Sequence, residues 1–387
     1  VGSEMCIRDR NDGNNRIIEW IGITKEDLSN YYIVNKERFA SFFSSSNSQK
    51  LQLMARFSNV GFLDDIDNDI IRISEELDVP LKKLYMLSNN RIRYHKRNQK
   101  KCYSNYRKVI IHRGRGHKNR VLKVPNEYLK LVQRRILERY LYTLSVSEYA
   151  TAYCKNSSLL KNAEPHIGQQ RVLKLDVSGF FDSIDFGKVY GVMCELGFSK
   201  PATTLLTNIC THNSILPQGA PTSPQISNLV MKRFDERIGK WCGERGINYT
   251  RYCDDMTFSG RKAELNAKEI TQLVSRALRK MGFKLNMKKT TLIGSSQRQQ
   301  VTGIVVNEKA QISSKQHREI RQEIYYCEKY GVSQSLFFKG ADITPDKYIN
   351  SLLGRISFAL QIDPADVKMH EYFKVAKKLK SEVCGEK

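Results

Sequence analysis

The segment Arg251 to Gly260, RYCDDMTFSG, sets two acids, Asp254 and Asp255, side by side between two short β-prone runs. Tyr249 to Cys253 and Met256 to Ser259 mostly alternate apolar with polar residues, which predicts a β-hairpin with both carboxylates at its tip. Adjacent carboxylates repel, and a hard divalent cation with oxygen ligands makes such a pair favourable. An isolated Asp-Asp is also ordinary turn chemistry, so the choice between the two readings rests on what lies upstream.

Upstream, Val172 to Ile184 reads VLKLDVSGFFDSI, a short apolar run that ends in Asp176 and continues into the aromatic pair Phe180 and Phe181. Read alone, it is a core strand with a terminal acid. A strand that carries Asp176 to the hairpin tip would gather three carboxylates around one or two magnesium ions. Two such metals, about 4 Å apart, activate an attacking hydroxyl and stabilise the leaving oxygen in phosphoryl transfer. Between the acidic segments, Leu216 to Asn228, LPQGAPTSPQISN, has the Gly and Pro pattern of a tight turn leading into a helix.

The order LDxxxFF, LPQGxPTSP, YxDD resembles the palm of reverse transcriptases, and the pattern spans about Arg113 to Gly303. Two further strings, NAEPH at Asn162 to His166 and VTG at Val301 to Gly303, resemble the retron type. The resemblance implies an α+β right-hand polymerase: fingers, a palm with an antiparallel sheet and a helical thumb, plus a small helical N-terminal extension. Its implied bounds are 11–98 for the extension, 99–170 with part of 187–213 for the fingers, 171–300 for the palm and 301–387 for an RNA-binding thumb.

It also implies roles for residues. Asp176, Asp254 and Asp255 would be catalytic and, with Val177, would hold two Mg2+ ions. Arg113 and Arg120 would cover the triphosphate of a deoxynucleoside triphosphate, with Arg115 or Lys118 as substitutes for Arg113. Phe181 would be a ring that excludes a 2′-hydroxyl, leaving Phe180 as core. Gln218 and Gly219 would border the nucleotide pocket, and Lys289, with Lys288 as the alternative, would lie near the leaving pyrophosphate. Asn162, His166, Val301, Thr302, Gly303, Arg318 and Arg321, with Lys315, are the candidate RNA contacts, although a lone His in a polar loop is more often a structural hydrogen-bonding group. The partners implied are a cognate structured noncoding RNA, its DNA product and a separate effector protein in antiphage defence.

Composition agrees with a partner made of phosphates. Lys and Arg number 64 against 40 Asp and Glu, a formal charge of +24, far from a neutral-surface metabolic enzyme. Nineteen Tyr and sixteen Phe supply rings for a core and for stacking. The nine cysteines show no CxxC spacing, which argues against a zinc ribbon or redox dithiol and fits a reducing cytoplasm. No apolar run approaches the roughly 20 residues of a membrane span, so no membrane partner is expected. VGSEMCIRDR at the start fits nothing in the architecture and is set aside as foreign or mis-assembled sequence.

Elsewhere the periods are helical. Ile70, Ile73, Leu77, Leu81, Leu84 and Leu87 predict two helices broken at Asp78 to Pro80. Arg91 to Lys101, RIRYHKRNQKK, is a basic run suited to nucleic acid or simply solvated. Val109 to Val124 reads as two strands around a basic Gly-rich turn, without the Gly-Lys-Ser/Thr of a Walker loop. Helices are expected at Tyr128 to Leu144, after Gly219, at Ala263 to Met281 and through the region after Gly303. Asp182 and Asp185 are left out of the metal set, and Cys253 is read as a small turn residue, since a thiolate suits magnesium poorly. Two rivals stay open: a group II intron or diversity-generating reverse transcriptase, and a catalytically idle RNA-binding scaffold.

Overall fold

The computed structural model describes residues 67–88, 104–112, 119–155, 157–339 and 343–385. The readings of the first ten residues, of Arg91 to Lys101 and of Arg113, Arg115 and Lys118 lie outside the described residues. In chain order the helices are α1 (Asn68–Glu76), α2 (Leu81–Ser88), α3 (Glu127–Arg139), α4 (Leu159–Ala163), α5 (Phe186–Cys194), α6 (Lys200–Cys210), α7 (Ser223–Gly243), α8 (Ala267–Lys280), α9 (Ser314–Tyr330), α10 (Val332–Lys339), α11 (Pro345–Ile362) and α12 (Val367–Gly385). The strands are β1 (Tyr106–Ile111), β2 (Arg120–Pro125), β3 (Arg171–Ser178), β4 (Asn248–Tyr252), β5 (Asp255–Gly260), β6 (Lys284–Leu285), β7 (Thr291–Gly294), β8 (Gln300–Val301) and β9 (Ile304–Val305). No helix among the described residues is long and apolar enough to cross a membrane.

The chain divides into two compact units, residues 1–145 with 179–230 and residues 146–178 with 231–387. In the first, α6 packs against α1, α2, α3 and α5. The expected break falls where Asp78 takes a positive φ and Pro80 precedes α2, and Ile70, Ile73, Leu77, Leu84 and Leu87 are buried. Helix α3 begins at the Asn126 cap, whose side chain accepts from the Leu129 amide. Strands β1 and β2 pair antiparallel from Tyr106↔Pro125 to Ile111↔Arg120.

In the second unit the sheet order is β4-β5-β3-β6, with β7 also paired to β3. All its pairings are antiparallel. Nearly every residue of β4 and β5 is at least partly covered. One face carries Tyr249, Met256 and Phe258 as apolar filling, while the other buries the hydroxyls of Thr250, Thr257 and Ser259. A second core joins Val301, Ile304 and Val306 to Ile320, Ile324, Leu352, Ile356 and Met369 of the C-terminal helices, and includes Ala163 and Val172. Helix α9 starts at a capping box between Ser313 and Gln316, which explains its sharp boundary.

Candidate active site

Strand register brings the acids together. Asp176, near the end of β3, lies directly opposite Asp255, the first residue of β5, a separation of about 5 Å between Cβ atoms in such a pair. Asp254 precedes it in the turn. The hairpin closes at Tyr252↔Asp255, so the tip is Cys253-Asp254, and Asp255 stands in the ladder rather than at the tip. Cys253 takes φ 60°, a conformation that suits glycine in a two-residue turn and costs a side-chain-bearing residue about 1–2 kcal/mol.

Several contacts hold that turn. The Val177 amide donates to the Asp254 carbonyl at 3.1 Å, so the backbone of Val177 serves the hairpin directly. The Arg251 guanidinium is fully buried against Asp235 of α7: Nε donates to Oδ1 at 2.8 Å and Oδ2 at 3.0 Å, and Nη2 to Oδ2 at 2.6 Å. Its remaining arm, Nη1, donates to the Cys253 carbonyl at 2.9 Å. Tyr249 Oη donates to Asp235 Oδ1 at 2.8 Å. Neither Arg251 nor Asp235 was assigned a role from sequence. The signal was an arginine on the same face as Tyr249 and Phe258, where only a paired charge can be buried.

The electrostatics follow from the crowding. The Asp255 carboxyl, open at the surface yet hemmed in by chain, is pushed up to about 6 by loss of surrounding water, then by repulsion from Asp254 and Asp176. Lys289 Nζ sits 2.7 Å from Asp176 Oδ2, and that hydrogen bond holds its ammonium above the usual lysine range. Lys174, two residues before Asp176 on the same face, is lowered by burial and partly restored by Asp255. Burial, followed by the charge of Asp254, pushes the Cys253 thiol up to about 12, so no thiolate competes for a metal at neutral pH.

The first unit gathers another group of expected residues. The Lys123 amide of β2 donates to the Gln218 carbonyl at 2.8 Å, and Arg120 Nε donates to Gln218 Oε1 at 3.1 Å. Gly219 adopts φ 116°, and a Cβ there would meet the Lys123 carbonyl oxygen at 3.2 Å. Gly219→Ala is therefore expected to cost at least about 1 kcal/mol, read as a lower urea midpoint. Phe181 and Phe180 are both buried and meet edge to face, so the contrast expected between them is not one of exposure. Asp185 caps α5 and pairs with Lys188, while Asp182 is exposed in a short turn.

The expected RNA contacts divide. Arg318, Arg321 and Lys315 are exposed on α9, and Gly303 is exposed. Asn162 and Val301 are buried, Thr302 is half-buried, and His166 is wholly enclosed. His166 Nδ1 is 2.6 Å from Ser259 Oγ and Nε2 is 2.8 Å from Thr250 Oγ1, which leaves neither ring nitrogen for an outside ligand. His166 is thus a structural hydrogen-bonding group within the protein, and Asn162 is buried beside it in sequence. Burial lowers the His166 imidazole to about 3. An unfolded chain takes up that proton near pH 6.5 and the native one does not, so stability is lost as pH falls from about 6.5 toward 3. Urea unfolding at pH 7 and 5.5 should show a slope in this window, up to about 1.4 kcal/mol per pH unit, that His166→Gln abolishes.

Residues 112–306, just over half of the chain, match the family of reverse transcriptases (RNA-dependent DNA polymerases). The chain belongs to that family. Among curated relatives, the retron Ec86 reverse transcriptase of Escherichia coli is 37% identical over 219 residues, covering 56% of this chain and 68% of its own. The retron Mx65 reverse transcriptase of Myxococcus xanthus is 34% identical over 231 residues, covering 53% of this chain and 54% of its own. The retron Ec83 reverse transcriptase of Escherichia coli is 29% identical over 264 residues, covering 65% and 81%. This reverse transcriptase is thus of the retron type, and its mixed helices and antiparallel sheet are those of an α+β polymerase.

The family's reaction uses a divalent cation and deoxynucleoside triphosphates. Asp176, Asp254 and Asp255 offer hard oxygen donors, and the Lys289 ammonium on Asp176 marks where positive charge is favoured. Among the described residues, no three His, Cys, Asp or Glu side chains are gathered closely enough to hold a metal alone. The three carboxylates expected to surround one or two magnesium ions are thus not gathered into a metal-holding group by the protein side chains alone.

Proposed function

We propose that this reverse transcriptase uses Mg2+ and deoxynucleoside triphosphates to copy part of a cognate structured noncoding RNA into single-stranded DNA. Synthesis starts from a 2′-hydroxyl of that RNA and leaves a branched RNA–DNA product, and the system acts with a separate effector protein in antiphage defence. The observation that carries the reading is the cross-strand pair Asp176–Asp255 with Asp254 in the adjoining turn, in a chain of retron type.

In this reading the sheet of β3 to β7 is the palm and α9 to α12 form the thumb. Bound metal supplies an activated primer hydroxyl and charge neutralisation at the α-phosphate. The chain's own parts do the rest. Asp176, Asp254 and Asp255 would hold the cations, Val177 and Arg251 fix the backbone that carries Asp254, and Lys289 would offer a positive charge to the departing pyrophosphate. Arg120, held by Gln218, presents a guanidinium fork suited to phosphate oxygens. Phe181 packs against the sugar and excludes a 2′-hydroxyl. Phe181→Ala is expected to raise ribonucleotide incorporation at least about tenfold relative to deoxynucleotides, measured by single-nucleotide extension.

Exposed Arg318 and Arg321 on α9 suit an A-form stem, whose recognition depends on shape and phosphate position. The deciding experiment is expression with the neighbouring genomic segment, followed by extraction of small DNA and a debranching assay. A short DNA joined 2′,5′ to RNA is expected. Extension of added DNA primers on unrelated templates, with no such product, would move the assignment to another type of reverse transcriptase.

A further inference from the structure

The strings NAEPH and VTG meet inside the second unit, where His166 reaches the hairpin of β4 and β5 directly and Asn162 reaches it through Thr151. Asn162 Oδ1 accepts from Thr151 Oγ1 at 2.7 Å, and the Thr151 amide donates to the Arg251 carbonyl at 2.9 Å. Asn162 Nδ2 donates to Thr302 Oγ1 at 3.3 Å. His166 holds the same hairpin from both strands, through Thr250 of β4 and Ser259 of β5. Asn162 is 1% exposed and His166 0%.

The other side of this segment belongs to the C-terminal helices. Ala163, next to Asn162, is part of the core built from Val301, Ile304, Ile320 and Ile356. The Gly168 amide donates to the Val306 carbonyl at 2.9 Å, and Gln299 Nε2 donates to the Gln169 carbonyl at 3.0 Å. Thr302 takes φ 46°, an outlying conformation for a β-branched residue that persists only where its surroundings impose it. A strained turn, a buried amide and a doubly bonded imidazole thus form one chain of contacts from the helical core to β4 and β5.

We propose that Asn162, His166 and Thr302 are positioning residues: they form a joint that fixes the Asp254–Asp255 hairpin against the C-terminal helices. Occupancy of those helices then reaches the catalytic acids through this joint. The proposal rests on the polymerase reading for its catalytic consequence but not for its mechanical one, and the test separates the two.

Full-length wild type, Thr302→Val, His166→Phe and His166→Gln would be compared on poly(rA)·oligo(dT) with dTTP and, without nucleic acid, by hydrogen-exchange mass spectrometry. Thr302→Val keeps shape at a half-buried site and removes only the hydroxyl, so its result stands even if His166→Phe fails to fold. The joint predicts kcat lower by about 3- to 10-fold in Thr302→Val, with the template–primer KM within about twofold. His166→Phe falls further, and His166→Gln, which can still bond both hydroxyls, recovers part of the loss. Amides of residues 249–260 should exchange about tenfold faster in Thr302→Val and His166→Phe.

Unchanged hairpin exchange in Thr302→Val would overturn the joint. So would an unchanged kcat with a raised template–primer KM and a shallower salt dependence, which is the behaviour of a nucleic-acid contact. Failure of wild type to extend this primer is the behaviour of an enzyme confined to its cognate RNA, and the exchange arm then decides the joint, while the debranching assay decides the polymerase reading.

Discussion

Arg251→Met is expected to destabilise the protein by about 3–5 kcal/mol, because it leaves the Asp235 carboxylate buried without its cation. Both side chains of the pair are fully enclosed, and burial works against the arginine charge, which Asp235 more than offsets. Chemical denaturation would show a large drop in midpoint. The informative comparison is Arg251→Met combined with Asp235→Leu, which removes the ion pair altogether. Apolar replacement of a buried pair is often neutral, so most of the stability should return, less about 1–3 kcal/mol for the Tyr249 hydroxyl that loses its acceptor. Activity should not return. The Cys253 carbonyl has lost the donor that holds a turn with positive φ, and a displacement of about 1 Å at an acid of the proposed metal site would cost on the order of 100-fold in kcat. A refolded double variant with wild-type kcat would show that the fork to Cys253 has no part in setting the acids.

Asp255→Asn should move activity and stability in opposite directions. On the metal role proposed for Asp255, the substitution should lower primer extension by at least about 1,000-fold. The same change relieves crowding by Asp254 and Asp176, so without divalent ions at neutral pH the melting temperature should rise. The sign follows from the raised carboxyl. The native state holds its proton up to about pH 6, above an ordinary aspartate, and binds more protons than the unfolded chain between those limits. Its contribution is therefore lost as pH rises through that window. In Asp255→Asn this part of the pH dependence disappears. A variant that melts no higher than wild type in chelator would indicate that the three acids do not repel one another appreciably.

Much of the site was legible because it is local in sequence. The hairpin follows from β-prone runs on either side of Asp254–Asp255, and the strand bearing Asp176 from an apolar run of the right length. The pairing Asp176↔Asp255 needed only the expectation that three carboxylates converge. What stayed hidden was long-range. Asp235 lies sixteen residues from Arg251 on a helix whose other positions read as an ordinary amphipathic pattern. Nothing local in Thr250, Thr257 and Ser259 said that an imidazole would cover two of them. The family strings were identifiable as strings, but the sequence does not show which way a polar side chain turns. Resemblance offered Asn162 and His166 as RNA contacts, and the fold gives both buried partners within the protein: Thr151 and Thr302 for Asn162, Thr250 and Ser259 for His166.

The ion pair between Lys289 and Asp176 has a practical corollary. The carboxylate cluster carries its own tethered counter-ion, supplied by the polypeptide before any dissolved metal arrives. Purification in EDTA should therefore leave the protein folded, and a divalent cation binding as proposed would have only to displace an ammonium whose flexible stem lets it swing aside.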